Sequence, residues 1–156
     1  MTPQAFLDAL LPGALAVQQK YGIPASFTLA QAASESRWGD SDLAKRAFNL
    51  FGIKADRSWH GPVFNLQTGE VLNGKEVVVP ASWRKYSSWS ECLEDRVKFF
   101  KDNRRYASCW QQTTGEGWAI AVAAAGYATD PAYAKKLIAV MGGRNLQRFD
   151  TKGIMK

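Results

Sequence analysis

Histidine and cysteine are scarce in this chain of 156 residues, which has one histidine, His60, and two cysteines, Cys92 and Cys109. One imidazole cannot build a histidine-rich metal site, and two cysteines outside a CxxC pair are too few for a zinc site without it. We therefore expect no metal and no cofactor, and chemistry that rests on carboxylates, hydroxyls or binding alone. The cysteines are predicted to be buried thiols, with one disulfide between them as the alternative.

Long apolar runs and a leader-like start are also missing. No run approaches the roughly 20 apolar residues of a membrane span, and residues 1–5 show no basic segment followed by an apolar one. These absences predict synthesis in the cytoplasm without a signal peptide, and no stable membrane insertion. The content of 46% hydrophobic and 22% charged residues is typical of a globular protein. We expect one monomeric domain over residues 1–150 and a short tail, 151–156.

Acidic residues are fewer than basic ones, 14 against 20, so the net charge is +6. Such an excess favours an anionic partner: nucleic acid, an acidic membrane surface or an acidic polysaccharide. The basic residues form no dense run, and no RNA- or DNA-binding motif is present, so nucleic acid is not expected as a partner.

Local patterns predict an α+β fold, in which a small β segment interrupts a mainly helical chain. Caps, prolines and apolar spacing predict helices over 2–20, 25–38, 42–46, 89–102, 117–125 and 131–141. Pro12 and Gly13 are expected to kink or split the first helix. Three short extended runs, 63–66, 70–72 and 76–79, are separated by Thr68-Gly69 and by Asn73-Gly74, which is a strong hairpin signal, and Pro80 closes the segment.

Glu35 is the strongest candidate for chemistry, because it falls in the last turn of the second predicted helix. The negative end of the helix dipole disfavours an ionised carboxylate there, and burial would raise its pKa further. A carboxyl group protonated near neutral pH is what a glycosidase needs to protonate a leaving oxygen. The alternative is a structural glutamate paired with Arg37 or another surface cation.

Other candidates are weaker on local grounds. Glu70 follows the Thr-Gly pair and could project from the β segment over a cleft, or it could be a solvated hairpin residue. Tyr127, between two apolar helices, could offer its hydroxyl to a site or close the core. Trp59 could line a groove or simply pack. Asp130 is expected to cap a helix.

Several strings together carry a specific resemblance, in the order TLAQAASESRWGDSDLAKRAFNLFGIKA, SWHGPV, RKYSSWSECLEDRVKFF, NRRY and AAGYATDPAYAKKL. Over residues 3–141 the chain resembles the FlgJ-type glucosaminidases of glycoside hydrolase family 73, which cleave the peptidoglycan backbone after N-acetylglucosamine. The resemblance implies a lysozyme-like α+β fold, with a helical lobe and a small β-hairpin lobe flanking a glycan cleft. The family's NPRY motif appears here with arginine in place of proline.

The resemblance also implies roles for particular residues. The catalytic acid of the family falls on Glu35, the second carboxylate on Glu70, and the tyrosine of GYATDP on Tyr127. We predict these three as catalytic residues, and Trp59, Tyr106 and Asp130 as substrate-binding residues, while Asp95 is assigned a structural role. Glu70 could activate water, act as the nucleophile, or leave attack to the substrate's own N-acetyl group, and the sequence does not choose among them.

The predicted function is therefore an endo-β-N-acetylglucosaminidase acting on the glycan strands of the bacterial cell wall. The alternatives are a muramidase or a lytic transglycosylase on the same fold. The sequence favours a stand-alone phage endolysin released by a holin, with a toxin delivered by an export apparatus as the alternative.

Overall fold

The computed structural model describes residues 1–151, and residues 152–156 of the predicted tail lie outside the described part. The helices are α1 (Pro3–Tyr21), α2 (Ala25–Ser36), α3 (Asp42–Arg46), α4 (Trp89–Asp102), α5 (Gly115–Ala124) and α6 (Tyr133–Gly143). Two 3-10 helices span Arg104–Gln111 and Leu146–Phe149, and strands β1 (Val63–Leu72) and β2 (Lys75–Arg84) form one antiparallel sheet. The predicted α+β layout is confirmed.

Helix α1 begins where the sequence predicts, because the Thr2 hydroxyl accepts a hydrogen bond from the amide of Ala5. The expected split at Pro12 is wrong, since α1 continues through it to Tyr21. Proline leaves the carbonyl four residues earlier without its helical partner. Here that carbonyl belongs to the exposed Asp8, where water can replace the missing bond. Gly13 allows close packing against α4, because a Cβ there would lie 3.0 Å from Leu93.

Helix α2 lies at the centre of the helical body. Ten of its 12 residues are buried, and it packs against α1, α5 and α6. It ends two residues earlier than predicted, because Arg37 and Trp38 adopt left-handed backbone conformations with φ of 52° and 58°. Glu35 therefore occupies the penultimate position of the helix.

The β segment is a long hairpin instead of three short runs. Thr68 and Gly69 continue β1 and pair with Val79 and Val78, so the predicted turn there is wrong. Pro80 does not close the segment but lies inside β2. A two-stranded sheet has only edge strands, where a residue without an N–H is tolerated. The predicted turn at Asn73-Gly74 is confirmed.

The C-terminal half differs from the prediction mainly at helix starts. Helix α6 begins at Tyr133, after a turn in which the Asp130 carboxylate accepts a hydrogen bond from the amide of Ala132. The 3-10 helices were not predicted. Both Cys92 and Cys109 are free thiols in the core, as expected. None of the helices within residues 1–151 is long and apolar enough to cross a membrane.

Candidate active site

A trough runs between the helical body and the base of the hairpin. One hollow of about 430 Å³ is lined by Glu35, Tyr127 and residues 51–54 among others. A second hollow of about 340 Å³ contains Trp59 and His60. Asp56, Arg84 and Phe99 line both hollows, so the two hollows adjoin, and together they are called the trough. This shape suits an extended ligand.

The end of α2 fixes the position of Glu35. The buried Ser36 hydroxyl donates to the carbonyl of Ala32 at 2.6 Å and accepts from the amide of Gly39 at 2.8 Å. Two consecutive left-handed residues, Arg37 and Trp38, then turn the chain away. Such conformations are unfavourable for bulky side chains and persist only where surrounding contacts enforce them. The strained turn therefore ends the helix directly after the candidate acid.

Burial raises the pKa of Glu35, and a hydrogen bond from Tyr133 opposes that rise only in part. The hydroxyl of Tyr133 lies 2.9 Å from Oε2 of Glu35. The alternative of a surface ion pair is not what the structure shows: no Lys or Arg within residues 1–151 lies within 4.0 Å of this carboxylate. Burial therefore favours the protonated form of this half-buried carboxyl group, which lines the trough.

Tyr127 and Tyr133 form a stacked pair next to this carboxyl group, with ring centroids 5.6 Å apart and planes 23° apart. Burial raises the pKa of both phenols, and the nearby Glu35 raises it further. Both hydroxyls therefore stay protonated and available as donors. Sequence reasoning found Tyr127 but missed Tyr133, which reaches the site only because α6 packs against α2.

A polar face of α2 extends from Glu35 towards the core, and sequence reasoning also missed this face. Thr28, Gln31 and Glu35 have the i, i+3, i+7 spacing of one helix face, in a helix whose other buried residues are mostly apolar. Behind them lies Arg96 of α4, which is 1% exposed and donates hydrogen bonds to Thr28 and Gln31. The spacing was visible in the sequence, but the partner on α4 was not.

Glu70 lies on the hairpin, near the turn end of β1 and opposite Val77. It is half-exposed and pairs with Lys54, with 3.7 Å between Nζ and Oε1. Lys54 itself lines the hollow that contains Glu35. Glu70 itself lines neither hollow, and its contact with Lys54 links this carboxylate to the rim of the trough.

The three residues predicted to bind substrate differ in whether they line a hollow, and in which one. Tyr106 is buried against Phe99 and lines the hollow with Glu35. Trp59 lines the second hollow, where its indole donates to the carbonyl of Pro62 at 2.7 Å. Asp130 bonds the amide of Ala132 and the ammonium of Lys136, and neither hollow includes it. The expected helix cap is wrong, because Ala132 is the N-cap of α6 and Asp130 lies in the turn before it. The part of Asp130 in substrate binding stays a prediction.

No group of three or more His, Cys, Asp or Glu side chains within residues 1–151 is arranged to hold a metal ion. The groups that converge on the trough are carboxylates, phenols and cationic side chains. They can carry out acid–base chemistry and hold a polar, hydroxyl-rich ligand.

A helical body, a small hairpin lobe and a trough with a half-buried carboxyl group at a helix end define a lysozyme-like glycoside hydrolase. The chain belongs to the glucosaminidase family: the family described as mannosyl-glycoprotein endo-β-N-acetylglucosaminidase matches residues 11–146. The family expected from the sequence is therefore confirmed.

Named relatives agree with this placement. The peptidoglycan hydrolase FlgJ of Escherichia coli (strain K12) is 45% identical over 139 residues, which cover 86% of this chain and 44% of FlgJ. The exo-glucosaminidase LytG of Bacillus subtilis is 36% identical over 152 residues, or 94% of this chain and 53% of LytG. The chain thus spans about half or less of the length of these curated relatives.

Solved structures show the same fold. The C-terminally truncated glycoside hydrolase domain of Salmonella typhimurium FlgJ has a TM-score of 0.78 and 39% identity, covering 92% of this chain and 98% of that domain. The catalytic domain of the autolysin Auto from Listeria monocytogenes has a TM-score of 0.84 and 31% identity, covering 95% and 87%. The predicted lysozyme-like architecture is confirmed.

Proposed function

We propose that this chain is an endo-β-N-acetylglucosaminidase that hydrolyses the glycan backbone of peptidoglycan, with Glu35 as the general acid. The observation that carries the proposal is the half-buried Glu35 carboxyl group, which lines the trough without a cationic partner among residues 1–151. A carboxyl group that stays protonated near neutral pH can give its proton to the oxygen of a leaving sugar.

The substrate class rests on relatives and on charge. FlgJ proteins of several bacteria, between 34% and 45% identical to this chain, are named peptidoglycan hydrolases. Cell walls and their attached polymers are anionic, and a net charge of +6 raises the rate of encounter with them. The hollow that contains Glu35 adjoins the one lined by Trp59, and a glycan that occupies both would place sugars beyond the one that is cleaved, which favours an endo-acting enzyme.

Two further residues are proposed to act with Glu35. The Tyr127 hydroxyl lines the same hollow, and its raised pKa keeps it protonated, so it can donate a hydrogen bond to the sugar. Glu70 is proposed as the second carboxylate, because the hairpin holds it at the rim through its contact with Lys54. An inverted product anomer would assign Glu70 as the base that activates water, whereas a retained anomer requires a nucleophile.

The test is digestion of purified peptidoglycan by the wild type, Glu35→Gln and Glu70→Gln, with products identified by mass and anomer. We expect reducing-end N-acetylglucosamine, near-complete loss of activity for Glu35→Gln, and a large loss for Glu70→Gln. Glu76→Gln is the matched control, because Glu76 is an exposed glutamate on the same hairpin. Reducing-end N-acetylmuramic acid or an anhydro product would instead establish a muramidase or a lytic transglycosylase.

Delivery to the cell wall is proposed to need a separate partner: a holin if the enzyme is a phage endolysin, or an export apparatus if it is an antibacterial toxin. Expression in the bacterial cytoplasm with and without a co-expressed holin tests the first case. Lysis that requires the holin would support it, and lysis without any holin would refute dependence on that partner.

A further inference from the structure

Arg96 is a buried cation without a carboxylate partner. It is 1% exposed, and no Asp or Glu within residues 1–151 lies within ion-pair distance of it. Its guanidinium instead lies over the rings of Phe27, Phe51 and Phe100, with 4.8–5.4 Å between the carbon centre and the ring centroids. Cation–π contacts offset part of the desolvation cost.

Stability alone gives no reason for a charge at this place. Apolar residues of similar volume often replace buried charged groups without loss, because they avoid desolvation. Burial lowers the pKa of Arg96 to about 10, so the group still carries its proton at neutral pH. Its Nε has no hydrogen-bond partner, which adds to the cost. The charge therefore calls for a functional explanation.

The hydrogen bonds of Arg96 set a direction along a chain of three side chains. A guanidinium can only donate, so it requires the amide oxygen of Gln31, which lies 2.8 Å from its NH1 group. The other end of that amide must then be Nε2, which donates to the Tyr133 oxygen at 3.1 Å. Tyr133 is left with one hydrogen, and it points to Oε2 of Glu35 at 2.9 Å.

We propose that Arg96 and Gln31 are positioning residues for the acid: they orient the Tyr133 hydroxyl as a donor to Oε2 of Glu35, which keeps the acid's proton on Oε1. Among residues 1–151, no hydrogen-bond donor reaches Oε1, and Glu35 lines the trough. The proton is thereby presented to the substrate side. The inference rests on the proposed role of Glu35 as the acid.

Other charged and titratable groups near Glu35 have to be considered in any pH profile. Tyr127 and Tyr133 face it from the loop before α6 and from α6, while Arg96 lies behind them on α4. The rest of the lining and the rim of the trough contribute a further set: Lys54, Asp56, Arg84, Arg105, Tyr106 and, through Lys54, Glu70. Apart from Tyr133, none of these is changed in the variants below.

Gln31→Glu tests the proposal, because it replaces the amide donor that faces Tyr133 by a carboxylate acceptor of nearly the same shape. A carboxylate at position 31 accepts from both Arg96 and Tyr133, so the Tyr133 hydrogen turns away from Glu35. The acid's proton then settles on Oε2, facing Tyr133 and away from the substrate. We expect the plateau rate on purified peptidoglycan to fall about tenfold or more. The high-pH limb of the rate profile should move up by about one pH unit.

The chain of hydrogen bonds from Arg96 through Gln31 and Tyr133 to Glu35 is called the relay. Tyr133→Phe separates the effect of this relay from simple charge repulsion between residue 31 and Glu35. The phenyl ring keeps the packing but has no hydroxyl, so Gln31→Glu in that background acts on Glu35 only through space. We expect Gln31→Glu to move the high-pH limb of the rate profile in this background by less than half as much as in the wild-type background. Equal shifts in both backgrounds would overturn the relay, because they would show that added charge alone is responsible.

Gln31→Met is the second variant, for the case that Gln31→Glu does not fold. It removes the amide without adding a charge. We expect a several-fold fall in the plateau rate, because the Tyr133 hydroxyl is no longer held in one direction. A purely structural role would lower the thermal midpoint and leave the rate profile of the folded enzyme unchanged, which would overturn the proposal.

Wild-type activity of Glu35→Gln would instead refute the acid itself, whereas an inactive Glu35→Gln beside unaffected Gln31 variants would refute only the relay.

Discussion

Asp95 is predicted to stabilise the junction between the hairpin and the helical body, and Asp95→Asn measures that contribution. Its carboxylate accepts from Arg84 at 2.8 Å and from the Tyr86 hydroxyl at 2.5 Å. The side chains of Arg84 and Asp95 are only 7% and 12% exposed. Arg84 lies at the end of β2 and also bonds the carbonyl of Lys54. One ion pair thus joins α4, the hairpin and the rim of the trough.

The magnitude follows from what the substitution leaves behind. Breaking a buried pair typically costs about 3–5 kcal/mol, because the remaining charge is left uncompensated. Arg84 keeps one further anion, Asp56 at 3.0 Å, but that carboxylate is 65% exposed and screened by solvent. We therefore expect a loss of about 2–4 kcal/mol in the free energy of unfolding. For a chain of this size the midpoint should fall by about 10 °C.

Urea denaturation and thermal melting followed by circular dichroism measure this loss. The control is Asp102→Asn, which removes the i, i+4 pair with Lys98 on the same helix. Both of these side chains are more than half exposed, and such pairs contribute about 0.3–0.5 kcal/mol. If Asp95→Asn costs no more than Asp102→Asn, the pair with Arg84 does not secure the junction.

Three further outcomes are expected. Because burial raises the pKa of Glu35 and the proposed general acid acts in its protonated form, the rate should fall as pH rises through that pKa; a rate that is flat up to pH 9 would contradict this. Gly115→Ala should lower the free energy of unfolding by about 1–3 kcal/mol, since its Cβ would clash with the hydroxyl oxygen of the buried Ser26. Gly142→Ala, which meets nothing within 4 Å, should be neutral or stabilising by urea titration. Cys92 and Cys109 should resist a thiol reagent in the native protein and react after unfolding; fast native reaction would refute their burial.

Local signals predicted the helices well, because caps and periodicity act within a few residues. Ser41 and Ser88 cap α3 and α4 as their positions suggest, through bonds to the amides of Ala44 and Glu91. The hairpin was less predictable. Thr68-Gly69 has turn chemistry but lies in a strand, since a register of ten residue pairs outweighs a local preference.

The site shows the same division between local and distant information. Glu35 could be found from its place at a helix end, and Tyr127 from its loop and the family motif. Tyr133 and Arg96 could not, because they lie 98 and 65 positions away from the α2 residues that they contact. Nothing in a one-dimensional pattern identifies which phenol or which arginine will reach a given helix face.

The residues that the sequence did not reveal bear on how the proposed acid, Glu35, works where it lies. Burial disfavours the ionised form of a carboxyl group, while full exposure favours it. The Tyr133 hydroxyl lowers its pKa and burial raises it, so the two effects oppose each other on one carboxyl group. A general acid must be protonated before reaction and stable as an anion after it. A donor of fixed direction on Oε2 supplies the second condition, and the polar face formed by Thr28, Gln31 and Glu35 connects that donor to a cation in the core.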